Sequence, residues 1–92
     1  MNRAEVAARL SGLIDALASI EHQRWAHWQQ YVHSRGQRGP DGSLILPAEL
    51  VNRWESQINT AYQDLSEAEK ESDREQVRRY LPLIAASLSD PD

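Results

Sequence analysis

The side chains most able to do chemistry in this chain are carboxylates set where apolar residues belong. Leu10, Ile14, Leu17, Glu21, Trp25, Trp28 and Val32 follow one line along a helix, with Glu21 the only acid among them. Asp73 precedes Val77 by four residues and Ile84 by eleven, which returns it to nearly the same helical angle, so it interrupts a second apolar face. A carboxylate enclosed between helices is costly unless paired, and Arg24 and Arg74 are the adjacent residues expected to pair with them. Three roles stay open for this polar seam. It is a structural ion-pair network joining the first helix to the last, a charge completed by a bound small molecule, or, least favoured, a catalytic acid or base.

The remaining reactive residue types are less suggestive. His22 and His33 stand about 16 Å apart on an ideal helix, too far to share one ion. Ala26 occupies the position, four residues after His22, where a helical zinc site needs its second histidine. No metal or other cofactor is expected, and His22 reads as a hydrogen-bonded rim residue beside Trp25. The chain has three tryptophans and no phenylalanine. Indoles suit half-buried positions, so Trp25, Trp28 and Trp54 are either core filling or a wall on which a flat ligand stacks. Catalytic templates fail in turn: there is no cysteine nucleophile, GxSxG elbow, glycine-rich phosphate loop or HExxH pair. An enzyme is not expected.

The elements that must position these residues are helices. Apolar steps of three and four predict a long first helix from about Arg3 to Ser34, with Gly12 and Ser19 as the places where it could bend or break. Gly36 fits its C-terminal cap. The stretch Gln37-Arg38-Gly39-Pro40-Asp41-Gly42-Ser43 is dense in turn formers and reads as a surface loop. Leu44-Ile45-Leu46 is too short to form a sheet alone and is expected to lie extended over the bundle. Pro47 suits the start of a second helix running to about Ile58, with Leu50, Val51, Trp54 and Ile58 facing inward. Ser66 followed by Glu69 makes a capping box for a third helix, whose apolar face is Val77, Tyr80, Leu81, Ile84 and Leu88. Pro82 should kink that helix near Arg78, and the tail Asp90-Pro91-Asp92 should fray.

Composition bounds the rest. A chain of 92 residues is one domain, near the lower size limit for folding unaided. It has no cysteine to staple it, so gaining core by oligomerising is a natural outcome. A net charge of −4 argues against DNA or RNA as the main partner. No apolar run approaches the length of a membrane span. The lack of cysteine and of a signal-peptide block points to the cytoplasm.

The segment from about Leu17 to Ile84 resembles the ryanodine-receptor (RyR) domain family, as repeats in the receptors and as short stand-alone proteins in bacteria and phages. Two blocks carry the likeness. Ile20-Glu21-His22-Gln23-Arg24-Trp25 is similar to the family's helix with histidine three residues before tryptophan. Tyr62-Gln63-Asp64-Leu65-Ser66-Glu67-Ala68-Glu69-Lys70-Glu71-Ser72-Asp73-Arg74 looks like the family's Tyr-x-x-Leu, helix start, Glu-Lys and Asp-Arg. The family's Gly-Trp-x-Tyr-Gly stretch is absent here, Ala61 replaces a proline before Tyr62, and the segment Pro47 to Ile58 is extra. The resemblance implies a compact helical module that acts by binding, toward nucleotide-derived signals.

The sequence thus predicts an all-α, small three-helix domain that oligomerises, with residues 1–18 as the candidate oligomerisation helix. Its expected function is non-catalytic binding of a nucleotide-like small molecule through Glu21, His22, Trp25, Tyr62, Lys70, Asp73 and Arg74. The alternative is a protein-interaction or assembly module with no small ligand.

Overall fold

A computed structural model describes residues 1–89; the expectation for Asp90-Pro91-Asp92 lies outside the described residues. Helices α1 (Arg3–Ser11), α2 (Ile14–Arg35), α3 (Ala48–Ile58) and α4 (Glu67–Leu88) account for most of the chain. Strands β1 (Gln37–Arg38) and β2 (Leu44–Ile45) form a two-stranded antiparallel hairpin between α2 and α3. A single 3₁₀ turn, Tyr62–Asp64, links α3 to α4.

The expected long first helix is divided at Gly12. Its amide reaches back to the Ala8 and Leu10 carbonyls, and the Leu13 amide closes a tight turn on Leu10 at 3.0 Å. Ser19, the other candidate break, lies within the continuous α2. Asn2 caps α1 by accepting from the Glu5 amide at 2.9 Å. Pro47 is the residue before α3, its carbonyl receiving the Leu50 and Val51 amides. The capping box of α4 is complete: Ser66 Oγ accepts from the Glu69 amide at 3.2 Å and Glu69 accepts from the Ser66 amide at 3.0 Å. Helix α4 continues across Pro82 as one element, at the expense of the hydrogen bond that residue 82 cannot donate.

The region expected to be a plain loop is a hairpin. Gln37 pairs with Ile45 and Arg38 with Leu44, so Leu44-Ile45 finds its strand partner locally rather than lying over the helices. Gly36 ends α2 in an extended conformation, and a Cβ there would meet Leu44 Cγ at 2.5 Å. Gly42 takes φ +85 at the tip, in the left-handed region open to glycine. Asp41 Oδ1 accepts from the Ser43 amide at 3.0 Å, and the bonds to Ser43 hold its carboxyl below the usual range.

The principal contacts between helices are α1 with α4 and α2 with α4. Arg9 and Ser87 bond to each other's backbone carbonyls, while Gln23 and Glu21 receive Arg79 and Tyr80 further along, so α1–α2 and α4 run antiparallel. On α3, Trp54 meets Trp28 of α2 edge to face, ring centroids 5.6 Å apart. These contacts do not enclose a core. Among the described residues none is buried, and the apolar side chains along the seams, such as Leu17, Ile20, Leu83 and Ile84, are half-buried. The radius of gyration is 18.4 Å, against about 12 Å for a compact domain of this length. The single chain is extended where the family resemblance implies a compact module.

Candidate functional site

Glu21 sits on α2 with its side chain 51% exposed, so the enclosure expected of it is absent in the single chain. Its pairing with Arg24 is as expected. Arg24 Nε donates to both carboxylate oxygens at 3.2 Å and Nη2 to Oε2 at 2.8 Å. The hydroxyl of Tyr80 on α4 also donates to Glu21 Oε1. Arg24 first, and Tyr80 second, hold the Glu21 carboxyl below its ordinary range, while the same bond pushes the Tyr80 phenol up. This is a joint between helices built from charge on a wetted seam. Next to it, His22 stacks on Trp25, centroids 5.9 Å apart and planes inclined by 24°. The Trp25 residue keeps 55% of its surface exposed.

The second group lies at the start of α4. Tyr62, from the 3₁₀ turn, accepts from Arg74 Nε through its hydroxyl at 3.0 Å and carries Lys70 Nζ 5.9 Å from its ring centroid, within cation–π range. Arg74 Nη1 also donates to Glu67 at 3.1 Å and Glu71 at 3.3 Å, and Glu71 accepts from Arg78 at 2.5 Å. Bonds to Glu67, Tyr62 and Glu71, in that order, raise the Arg74 pKa further above its ordinary value. Lys70 Nζ lies 3.8 Å from Glu67.

Asp73 departs from expectation. It is exposed rather than enclosed, and Arg74 pairs with Tyr62, Glu67 and Glu71 instead. Consecutive residues on a helix point about 100° apart and do not face each other, whereas Glu67 and Glu71 lie on the arginine's own side. Asp73 instead edges an open groove of about 480 Å³ with Tyr62, Arg74, Val77, Arg78 and Leu81. A second, more polar cleft of about 390 Å³ lies between the end of α3 and the start of α4, where Gln57 donates to Glu69.

The seven residues expected to form one site therefore divide into two groups. Tyr62, Lys70 and Arg74 meet, with Asp73 beside them on the groove; Glu21, His22 and Trp25 form a separate cluster on α2. Among the described residues, no hydrogen bond, ion pair or ring contact links the two. The positions on α4 that they use, Arg74 and Tyr80, are about 9 Å apart along the helix axis. Residues that sequence reasoning passed over are Glu67, Glu71 and Arg78, and the hydroxyl role of Tyr80. The alternation of opposite charges at steps of three, four and seven through Glu67, Lys70, Glu71, Arg74 and Arg78 was the available signal; for Tyr80 there was none, since it reads as one more apolar-face residue.

Among the described residues there is no group of three or more His, Cys, Asp or Glu side chains able to hold a metal ion, and no helix long and apolar enough to cross a membrane. No protein-family model, curated protein or solved structure matches this chain.

Proposed function

We propose that this chain is a non-catalytic assembly module, a binding domain that acts by docking an open helical framework onto protein. The observation that carries the reading is surface. The accessible area is 7318 Å², where a compact monomer of this mass exposes about 5,400 Å². Without a dry interior, and without a disulfide to restrain the unfolded chain, little offsets the conformational entropy of folding. The missing burial has to come from another protein. Aromatic residues are over-represented at such interfaces, and Trp25, Trp28, Tyr31 and Tyr62 are all exposed here. Nucleic acid and anionic membrane are poor partners for a chain of charge −4 whose Arg24, Arg74 and Arg78 are engaged by its own carboxylates. The setting proposed is cytoplasmic.

Indole emission tests this directly. At high dilution, without partner, the account expects water-exposed, red-shifted tryptophan emission and broad, weakly cooperative thermal unfolding. A dilute single chain with blue-shifted emission and a sharp transition would contradict it.

A second reading is favoured by the groove at the start of α4. Tyr62, Asp73 and Arg74, in the stretch that resembles the RyR family, line a groove in the volume range of small-molecule sites. Under this reading a nucleotide-like ligand stacks on the Tyr62 or Trp25 ring and its phosphate meets Arg74. Thermal-shift measurements with nucleotides and cyclic dinucleotides test it: stabilisation that disappears in Arg74→Met supports it, and no stabilisation by any of them removes it.

A further inference from the structure

We infer that the protein docked on this framework is a second copy of the same chain, seated on the exposed apolar faces of α2 and α4 as an obligate two-fold dimer. The inference rests on the assembly reading above and names its partner.

The areas set the scale. Each chain exposes 7318 Å², an excess of about 1,900 Å² over a compact monomer of its mass. Two copies that bury this excess against each other remove about 3,800 Å² in total. That is well above the roughly 1,600 Å² of an ordinary encounter and within the range of roughly 2,000 to 5,000 Å² typical of obligate homodimers. The shape agrees with the area. Principal extents of 57 × 33 × 21 Å make the chain long and flat, about two helix diameters thick, and its open face needs further packing before a core is enclosed.

The residues left uncovered are the ones such a layer would cover. On α2, Ile14 is 65% and Trp25 55% exposed; on α4, Val77 is 51% and Leu81 53% exposed. The same two helices meet at Glu21–Tyr80, which places both apolar strips on neighbouring elements of one framework. Val77 and Leu81 sit one helical turn apart, so they present a continuous apolar step.

Charge and availability select the partner. Much of the charge flanking the strips is paired within the chain, Arg24 with Glu21, Arg74 with Glu67 and Glu71, and Arg78 with Glu71, while Asp73 stands exposed at the edge of the same groove. The strips themselves are apolar, and an apolar face can pack against its own copy, as a two-fold interface requires. A lipid surface would need cations free at the rim, and these arginines are engaged. A chain that cannot enclose a core alone also needs its partner whenever it is made, and its own copies are always present at synthesis. Two chains of charge −4 repel weakly at long range. Because salt screens that repulsion while leaving apolar burial intact, the dimer tightens as salt is raised.

Sedimentation equilibrium of the full chain, from about 0.1 to about 100 μM, tests the inference, with tryptophan emission recorded on the same samples. The expected result is the mass of two 10.5 kDa chains, a dissociation constant that falls with added salt, and a blue shift that follows the dimer fraction. Leu81→Asp and Val77→Asp change side chains exposed in the single chain, and each acts twice in a two-fold interface. Each is expected to raise the dissociation constant by about 100-fold or more, since a carboxylate must then be desolvated on both sides. A dissociation constant unchanged in both variants overturns the assigned face, and a mass above two chains overturns the two-copy arrangement. A single-chain mass throughout, with wetted indoles, overturns the second copy but leaves assembly with a different protein standing. A single-chain mass with blue-shifted emission and sharp melting overturns both.

Discussion

The two halves of α4 are held in different ways. From Arg79 onward its side chains bond to residues far away in sequence: Arg79 to Gln23, Tyr80 to Glu21, and Ser87 to the Arg9 backbone. From Glu67 to Arg78 the polar bonds reach no further than twelve residues, through the Ser66 cap, Gln57, Tyr62 and the ladder of Glu67, Glu71, Arg74 and Arg78. The first half is thus bonded mainly within its own neighbourhood, with Gln76 Oε1 buried and without a hydrogen-bond partner among the described residues, whereas the second half is where the fold is made. The uncovered apolar step, Val77 and Leu81, spans the boundary between the two halves.

The largest effect on stability should come from the aromatic joint between α2 and α3, outside either half of α4. Trp28→Ala removes the edge-to-face contact with Trp54 and the ring contact with Tyr31. Discounting for the indole's partial exposure, the loss is about 2 kcal/mol in urea unfolding. A change below a third of that would mean the α2–α3 joint contributes little to the fold. Next is Ser66→Ala, which leaves the Glu69 amide without its cap and should cost about 1 kcal/mol. Because the first half of α4 is local, hydrogen exchange should speed up in its first turns and stay unchanged around Tyr80. Equal acceleration along the whole helix would contradict the separation of the two halves.

The Glu21–Tyr80 joint adds a dependence on pH. Arg24, then Tyr80, holds the Glu21 carboxyl below its ordinary 4.5. Its stabilisation is therefore complete above that value and is lost as pH falls through the lowered folded value. The bond to Glu21 pushes the Tyr80 phenol above its ordinary 10.0, so that contribution is complete below 10.0 and is lost as pH rises through the raised value. Melting temperatures of the native protein should fall at both edges of this window. Tyr80→Phe should flatten the alkaline edge; an alkaline edge of the same depth in that variant would remove the joint from the account. The smallest effect is expected from Arg74→Met. Its bonds to Tyr62 and Glu67 lie on solvated surface and that to Glu71 is only part-buried, where ion pairs add little, so the melting temperature should scarcely move. A large drop would show that the local ladder holds the fold after all.

Much of the helical framework was legible because its signals are local. The Ser66–Glu69 box and the end at Gly36 each depend on a few neighbouring residues and stand where the sequence placed them; the first helix, expected to be continuous with Gly12 and Ser19 as weak points, is divided at Gly12, and the second starts one residue after Pro47. The hairpin was missed although its tip, Gly39-Pro40-Asp41-Gly42, was flagged as a turn. The strands are only two residues each, too short for an alternating pattern to register. The enclosure of Glu21 and Asp73 was misjudged for a different reason. Periodicity establishes that a residue shares a face with Leu17 or Val77, but not that another surface covers the face. Glu21 found Arg24 three residues along its own helix, as spacing suggested; the Tyr80 hydroxyl comes from across the fold and no local pattern announces it.

The central claim, that one chain lacks the burial to be stable and obtains it from a second, is tested most directly by urea unfolding at two protein concentrations about 100-fold apart, followed by helical circular dichroism. The account predicts a midpoint that rises with concentration. A midpoint identical at both concentrations, with a single cooperative transition, would contradict it.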